Sequence, residues 1–126
     1  MKPVLVVDDE PQMRSLLKAL LAKDGLDSIE ASDGCNAFET AKNLDGEISL
    51  LLTDINMPCL DGLDLADAIR SAFPEIPILV VSSAPATDRD RMDHGYAFLK
   101  KPFDLKLLAQ TVHQLLTQRP ESVRPR

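Results

Sequence analysis

The sequence predicts an open α/β fold, a mostly parallel sheet of five strands with helices on both faces. Three observations carry this. Short apolar runs are continuous instead of alternating, as strands covered on both faces require. Between them lie segments whose apolar residues recur at helical spacing. The residues that stand out chemically, acids, hydroxyls and a lysine, follow the ends of those runs, where sheets of this kind bind ligands.

The first strand, β1, is read at Val4–Val7. Helix α1 follows from about Pro11 to Asp24: Met13, Leu16, Leu17 and Leu20 form one apolar stripe, and Gly25 supplies a left-handed stop. A weaker strand, β2, spans Leu26–Ala31, and Cys35, Phe38 and Ala41 mark a short helix α2. Strand β3 covers Ile48–Leu52 with Thr53 at its end; Leu65, Ala68, Ile69 and Ala72 give α3, closed by Pro74. Ile78–Val81 is β4. The next segment, Pro85–His94, has Met92 as its only large apolar residue, so the helix expected there, α4, is short or irregular. Tyr96–Leu99 is the second weak strand, β5. The most regular stripe, Leu105, Leu108, Ala109, Val112, Leu115 and Leu116, is α5. Right-handed crossovers leave few ways to connect such a series.

At 126 residues the chain is one domain with room for a real core. Aromatics are 4% and Trp is absent, so the core must be aliphatic and a base-stacking nucleic-acid platform is disfavoured. The net charge of −6 argues against phosphate-backbone binding. It suits a divalent cation or a basic partner, and equally simple solubility. Cys35 and Cys59 form no CxxC site and are expected as free thiols in a reducing compartment. The opening apolar run is too short for a signal peptide or membrane span, so a cytoplasmic protein with no membrane association is expected. Residues 119–126, rich in Pro and Arg, are expected to be a disordered tail or the start of a linker after a domain at 1–118.

Asp8, Asp9 and Glu10 follow β1, and Asp54 follows β3. If those strands are neighbours, the carboxylates converge and repel. A hard cation such as Mg²⁺ (or Mn²⁺) resolves the repulsion, since it takes oxygen ligands from one or two carboxylates, waters and phosphates. The Asp-Asp pair serves equally well as a cap for the helix near Pro11. Ser82 and Ser83 follow β4, where a simple turn is the plainer reading. Lys101 and Pro102 follow β5; a lysine there ordinarily reaches for solvent, but facing acids it would neutralise them.

Taken together, Val-Leu-Val-Val-Asp-Asp-Glu at the start, Asp54-Ile-Asn-Met-Pro58-Cys-Leu-Asp-Gly62 in the middle, Ile-Leu-Val-Val-Ser82, and Phe98-Leu-Lys-Lys101-Pro102-Phe make the chain resemble a response regulator receiver domain of two-component signal transduction, over residues 3 to 117. The resemblance implies a flavodoxin-like, CheY-like three-layer sandwich with strand order 2-1-3-4-5. It implies that Asp54 is the phosphoacceptor, and that Asp8, Asp9, Asp54 and the backbone carbonyl of Asn56 hold Mg²⁺. Ser82 and Lys101 would bind the phosphoryl group, and Ser82 with Phe98 would form the switch. Pro58 and Gly62 would shape the loop after β3, and Lys101–Pro102 would be a cis peptide bond. The expected partners are a sensor histidine kinase or phosphotransfer protein and an output target protein, with no direct nucleic acid contact. Such a domain catalyses only its own phosphorylation and dephosphorylation and is not a turnover enzyme.

The interval from Ser82 to Lys101 is about one helical turn (~3.6 residues) short of the family's usual spacing, which again points to a truncated α4. Lys101 is preferred over Lys100 because Pro102 follows it directly. Asn56 and Ala84 occupy positions that tune hydrolysis in the family. An aspartate-based phosphatase would want an acid at Asn56, and a phosphorylation-independent adaptor would not need Asp8, Asp9, Asp54, Ser82 and Lys101 together. No P-loop motif occurs. His94, His113 and Tyr96 are read as surface, flank or packing residues.

Overall fold

The computed structural model describes residues 2–82 and 96–117. The expectations for α4, Ser83, Ala84, His94 and the tail lie outside the described residues. The elements run β1 Val4–Val7, α1 Pro11–Lys23, β2 Ser28–Ala31, α2 Gly34–Asn43, β3 Leu50–Asp54, α3 Gly62–Ala72, β4 Ile78–Ser82, β5 Ala97–Lys100 and α5 Leu105–Thr117. The five strands are all parallel in the order β2-β1-β3-β4-β5. The sheet is doubly wound, as expected.

Central strands bury both faces because alternate residues feed two separate cores. Leu5, Val7, Leu51 and Val80 pack with α2 and α3 through Ala37, Ala41, Leu65 and Ile69. Val4, Val6, Leu50, Leu52, Leu79 and Val81 pack with α1 and α5 through Leu17, Leu21, Leu108 and Val112. The buried residues of both cores are aliphatic apart from Tyr96, and Phe38, Phe73 and Phe103 pack against them at the margins.

Helix ends follow local chemistry. Asp33 and Asp61 cap α2 and α3 by accepting the amides of Asn36 and Asp64. Gly25 stops α1 at φ +76°, donating to the Ala22 carbonyl. Some stripe residues lie elsewhere than expected. Leu16 and Leu105 are exposed, Ala72 faces solvent, and Cys35 lies outside the buried face of α2. Periodicity locates the centre of a buried face; its edges depend on which neighbour lies against it.

The register places the site. Val7 pairs with Thr53, so Asp8 and Asp54 emerge side by side from adjacent strands. Ser82 pairs with Lys100, and the Lys101 amide donates to the Ser82 carbonyl. Sheet order reverses between β1 and β3, the position where doubly wound sheets open a crevice. Among the described residues no helix is long and apolar enough to cross a membrane.

Candidate functional site

Asp54 is the last residue of β3, one place further into the strand than expected. Its Oδ1 accepts the Ile55 amide at 2.8 Å, while Oδ2 faces the Lys101 ammonium at 3.5 Å. Thr53, buried beneath, donates its hydroxyl to the Asp54 carbonyl at 2.8 Å. Gly62 is required here by close approach. A Cβ would collide with the carbonyl of Asp54, and the Gly62 amide donates to Ile55 at 2.7 Å. The start of α3 is thereby clamped over the end of β3.

Asp8 is 2% exposed. Its Oδ1 accepts the Glu10 amide at 2.9 Å and its Oδ2 faces Lys101 at 3.5 Å. The capping alternative for the Asp-Asp pair is therefore partly realised, since Asp8 helps to organise the head of α1. The N-cap itself is Glu10, and Asp9 is exposed. The carboxylate oxygens of Asp8, Asp9 and Asp54 lie within 4.8 Å of one another.

Lys101 is the lysine that reaches the acids, while Lys100 is exposed. At 3.5 Å from each carboxylate, the ammonium acts as a counter-charge shared between two acids, since a tight hydrogen bond would be shorter. Burial raises the affinity of Asp54 for its proton above the ordinary carboxylate range. Lys101 and the Ile55 amide oppose that shift, and Asp8 adds to it. The Lys101–Pro102 peptide bond is cis, as expected. Ser82 is fully buried at the end of β4. Phe98, on edge strand β5, is 39% exposed. Asn56 and Pro58 are exposed in the loop that follows Asp54.

These residues fit a hard divalent cation. Every side-chain donor is an oxygen, the donors converge, and among the described residues the Lys101 ammonium alone pairs with Asp8 and Asp54. Soft metals would want sulfur or imidazole.

Two features were not anticipated. Arg14 donates to the Asp8 carbonyl at 2.7 Å and pairs with Glu30 at 3.1 Å, holding the end of β1 against α1 and β2. Its place on α1, one turn past the acids, is a signal in the sequence that could have found it. The second is a correction. Cys35 and Cys59 are joined in a disulfide with Cα atoms 5.8 Å apart, and are not free thiols. Thiol count indicates a compartment only when the thiols are apart. Cys35 follows β2 and Cys59 follows β3, so both stand at one rim of the sheet within bonding reach.

Comparison with known proteins agrees with this geometry. Residues 4–113 match the response regulator receiver domain family. Sensor kinase CckA of Brucella abortus (strain 2308) is 35% identical over 116 residues, which are 90% of this chain and 12% of that protein. Transcriptional regulatory protein CpxR of Escherichia coli (strain K12) is 34% identical over 120 residues, covering 92% of this chain and 50% of CpxR. The chain thus spans half or less of the length of these relatives. Among solved structures, response regulator protein TrrA from Thermotoga maritima, in complex with Mg(2+)-BeF, superposes with TM-score 0.81 at 32% identity, covering 91% of this chain and 99% of TrrA.

Proposed function

The chain belongs to the response regulator receiver domain family of two-component systems, and from that premise we propose that Asp54 accepts a phosphoryl group from the phosphohistidine of a sensor histidine kinase or phosphotransfer protein. The observation that carries this is the convergence of Asp8, Asp9 and Asp54 around one rim, with the Lys101 ammonium 3.5 Å from two of them. Asp8, Asp9, Asp54 and the carbonyl of Asn56 would hold Mg²⁺, which when bound neutralises charge on the transferring group. The Mg(2+)-BeF complex of TrrA supports that assignment.

The chain's own residues do the rest. An Asp54 carboxylate oxygen attacks phosphorus as the phosphorus–nitrogen bond of the donor breaks, and the departing imidazole takes up a proton. The Ile55 amide fixes the carboxylate, leaving one oxygen turned to the rim. Lys101 offsets the added charge, and the Ser82 hydroxyl donates to a phosphoryl oxygen. Ser82 moving toward the phosphoryl group makes room for Phe98 to turn inward from β5, which alters a protein-docking face that includes β5 and α5. The domain acts on itself and turns over no separate substrate. CckA and CpxR support a role as one module within a signalling protein or as its partner.

Incubation with acetyl phosphate and Mg²⁺, followed by intact mass, tests the reading. The wild type is expected to gain one phosphoryl group and Asp54→Asn none. Equal labelling of both would remove Asp54 from its role.

A further inference from the structure

The Cys35–Cys59 bond ties the first turn of α2 to the loop between Asp54 and α3. That same loop carries the Asn56 carbonyl. Two facts make the bond more than a staple. Both cysteines are exposed, so exchange partners reach the sulfurs. Cys59 also sits at φ +73°, a left-handed backbone that a non-glycine residue keeps only when its surroundings hold it there. The neighbouring packing is already close, because a Cβ on Gly34 would collide with the Leu60 carbonyl. The disulfide therefore adds its constraint at Cys59 and along the loop leading back to Asn56.

We propose that Cys35 and Cys59 form a reversible thiol–disulfide pair that couples redox state to the acid cluster, the oxidised form presenting the loop carbonyl preset for Mg²⁺. This rests on the reading of the cluster given above. Cys35, in the first turn of α2, attacks first as its thiolate. It displaces one thiol from a small-molecule disulfide such as oxidised glutathione. Cys59 then displaces the second. Two protein thiols and one external disulfide give one protein disulfide and two external thiols, a two-electron exchange that a dithiol reductant reverses.

Coupling is reciprocal, so Mg²⁺ must favour the disulfide by the factor by which the disulfide favours Mg²⁺. The test equilibrates the full chain in graded glutathione buffers with and without Mg²⁺, alkylates the thiols, and counts them by intact mass. The expected result is a shift of the midpoint toward the disulfide by about fivefold, the low end of typical coupling. Calorimetric titration of Mg²⁺ into oxidised and reduced chain should give the same factor, with Cys35→Ser and Cys59→Ser matching the reduced form. Equal Mg²⁺ affinity in the two redox states, or a midpoint that does not move, overturns the coupling and leaves the acid-cluster reading standing. Failure of both forms to bind Mg²⁺ overturns both. A pair that stays reduced at every glutathione ratio overturns the redox proposal alone.

Discussion

Lys101 and Asp54 face each other at 3.5 Å across the end of β4, which lies between the strands that precede or carry them. The lysine stands at an equal distance from Asp8 and is only 17% exposed. One ammonium thus answers two carboxylates in a half-buried rim, and most of the site's behaviour follows from that imbalance.

Replacing the ammonium should expose it directly. Lys101→Met leaves Asp8 and Asp54 facing each other without the ammonium they share, and the loss of stability in metal-free buffer is expected at about 2 kcal/mol. Adding Asp54→Asn to the same chain should recover most of it. Urea denaturation of the two single variants and the double variant measures the coupling; strictly additive effects would mean that the two side chains do not interact.

Asp54 itself gives a pH prediction. Its carboxyl is raised above the ordinary 3.8 by burial, so between 3.8 and the raised value the folded chain holds a proton that the unfolded chain has released. The stability from this group is complete below 3.8 and is lost as pH rises through the raised value. Asp54→Asn escapes the loss. Without metal it should be the more stable chain at neutral pH by about 1 kcal/mol, roughly 4 °C in Tm. The gap should close on acidification toward pH 3.8 and, for the wild type, narrow when Mg²⁺ is added. Thermal melts across pH decide it; a gap that widens in acid contradicts the assignment.

Gly62→Ala should destabilise by about 1–3 kcal/mol, because the added carbon meets the Asp54 carbonyl with backbone on both sides. A lower urea midpoint at unchanged slope is the expected signature.

Tyr96 donates its hydroxyl to Asp67 and lies under the Arg70 guanidinium, 4.3 Å from its ring centre. Burial, together with the Asp67 hydrogen bond, pushes its pKa up to about 12. It is the single tyrosine and Trp is absent, so tyrosinate absorbance reports on it alone. The native chain should show little tyrosinate near pH 11, and Asp67→Asn should bring the transition down toward the ordinary value.

Much of the fold was legible because two-sided burial leaves a plain mark. Val4–Val7 and Ile78–Val81 are unbroken apolar runs, and they are strands. The site was legible for a related reason, since Asp8, Asp54 and Lys101 each follow such a run and strand ends in this architecture share one rim. The helix edges were harder to read. Leu16 and Leu105 look like core residues by spacing, yet they are exposed because no other described element covers them.

By itself the chain's order of residues determined the alternation of strands and helices, the burial of β1, β3 and β4, and which carboxylates and lysine stand at the strand ends, because these follow from local periodicity and connection. Only the tertiary structure decided that one ammonium serves two acids, that Arg14 holds the end of β1, and that Cys35 and Cys59 are bonded. Those outcomes depend on register and on distances between segments far apart in the chain, which no local pattern encodes.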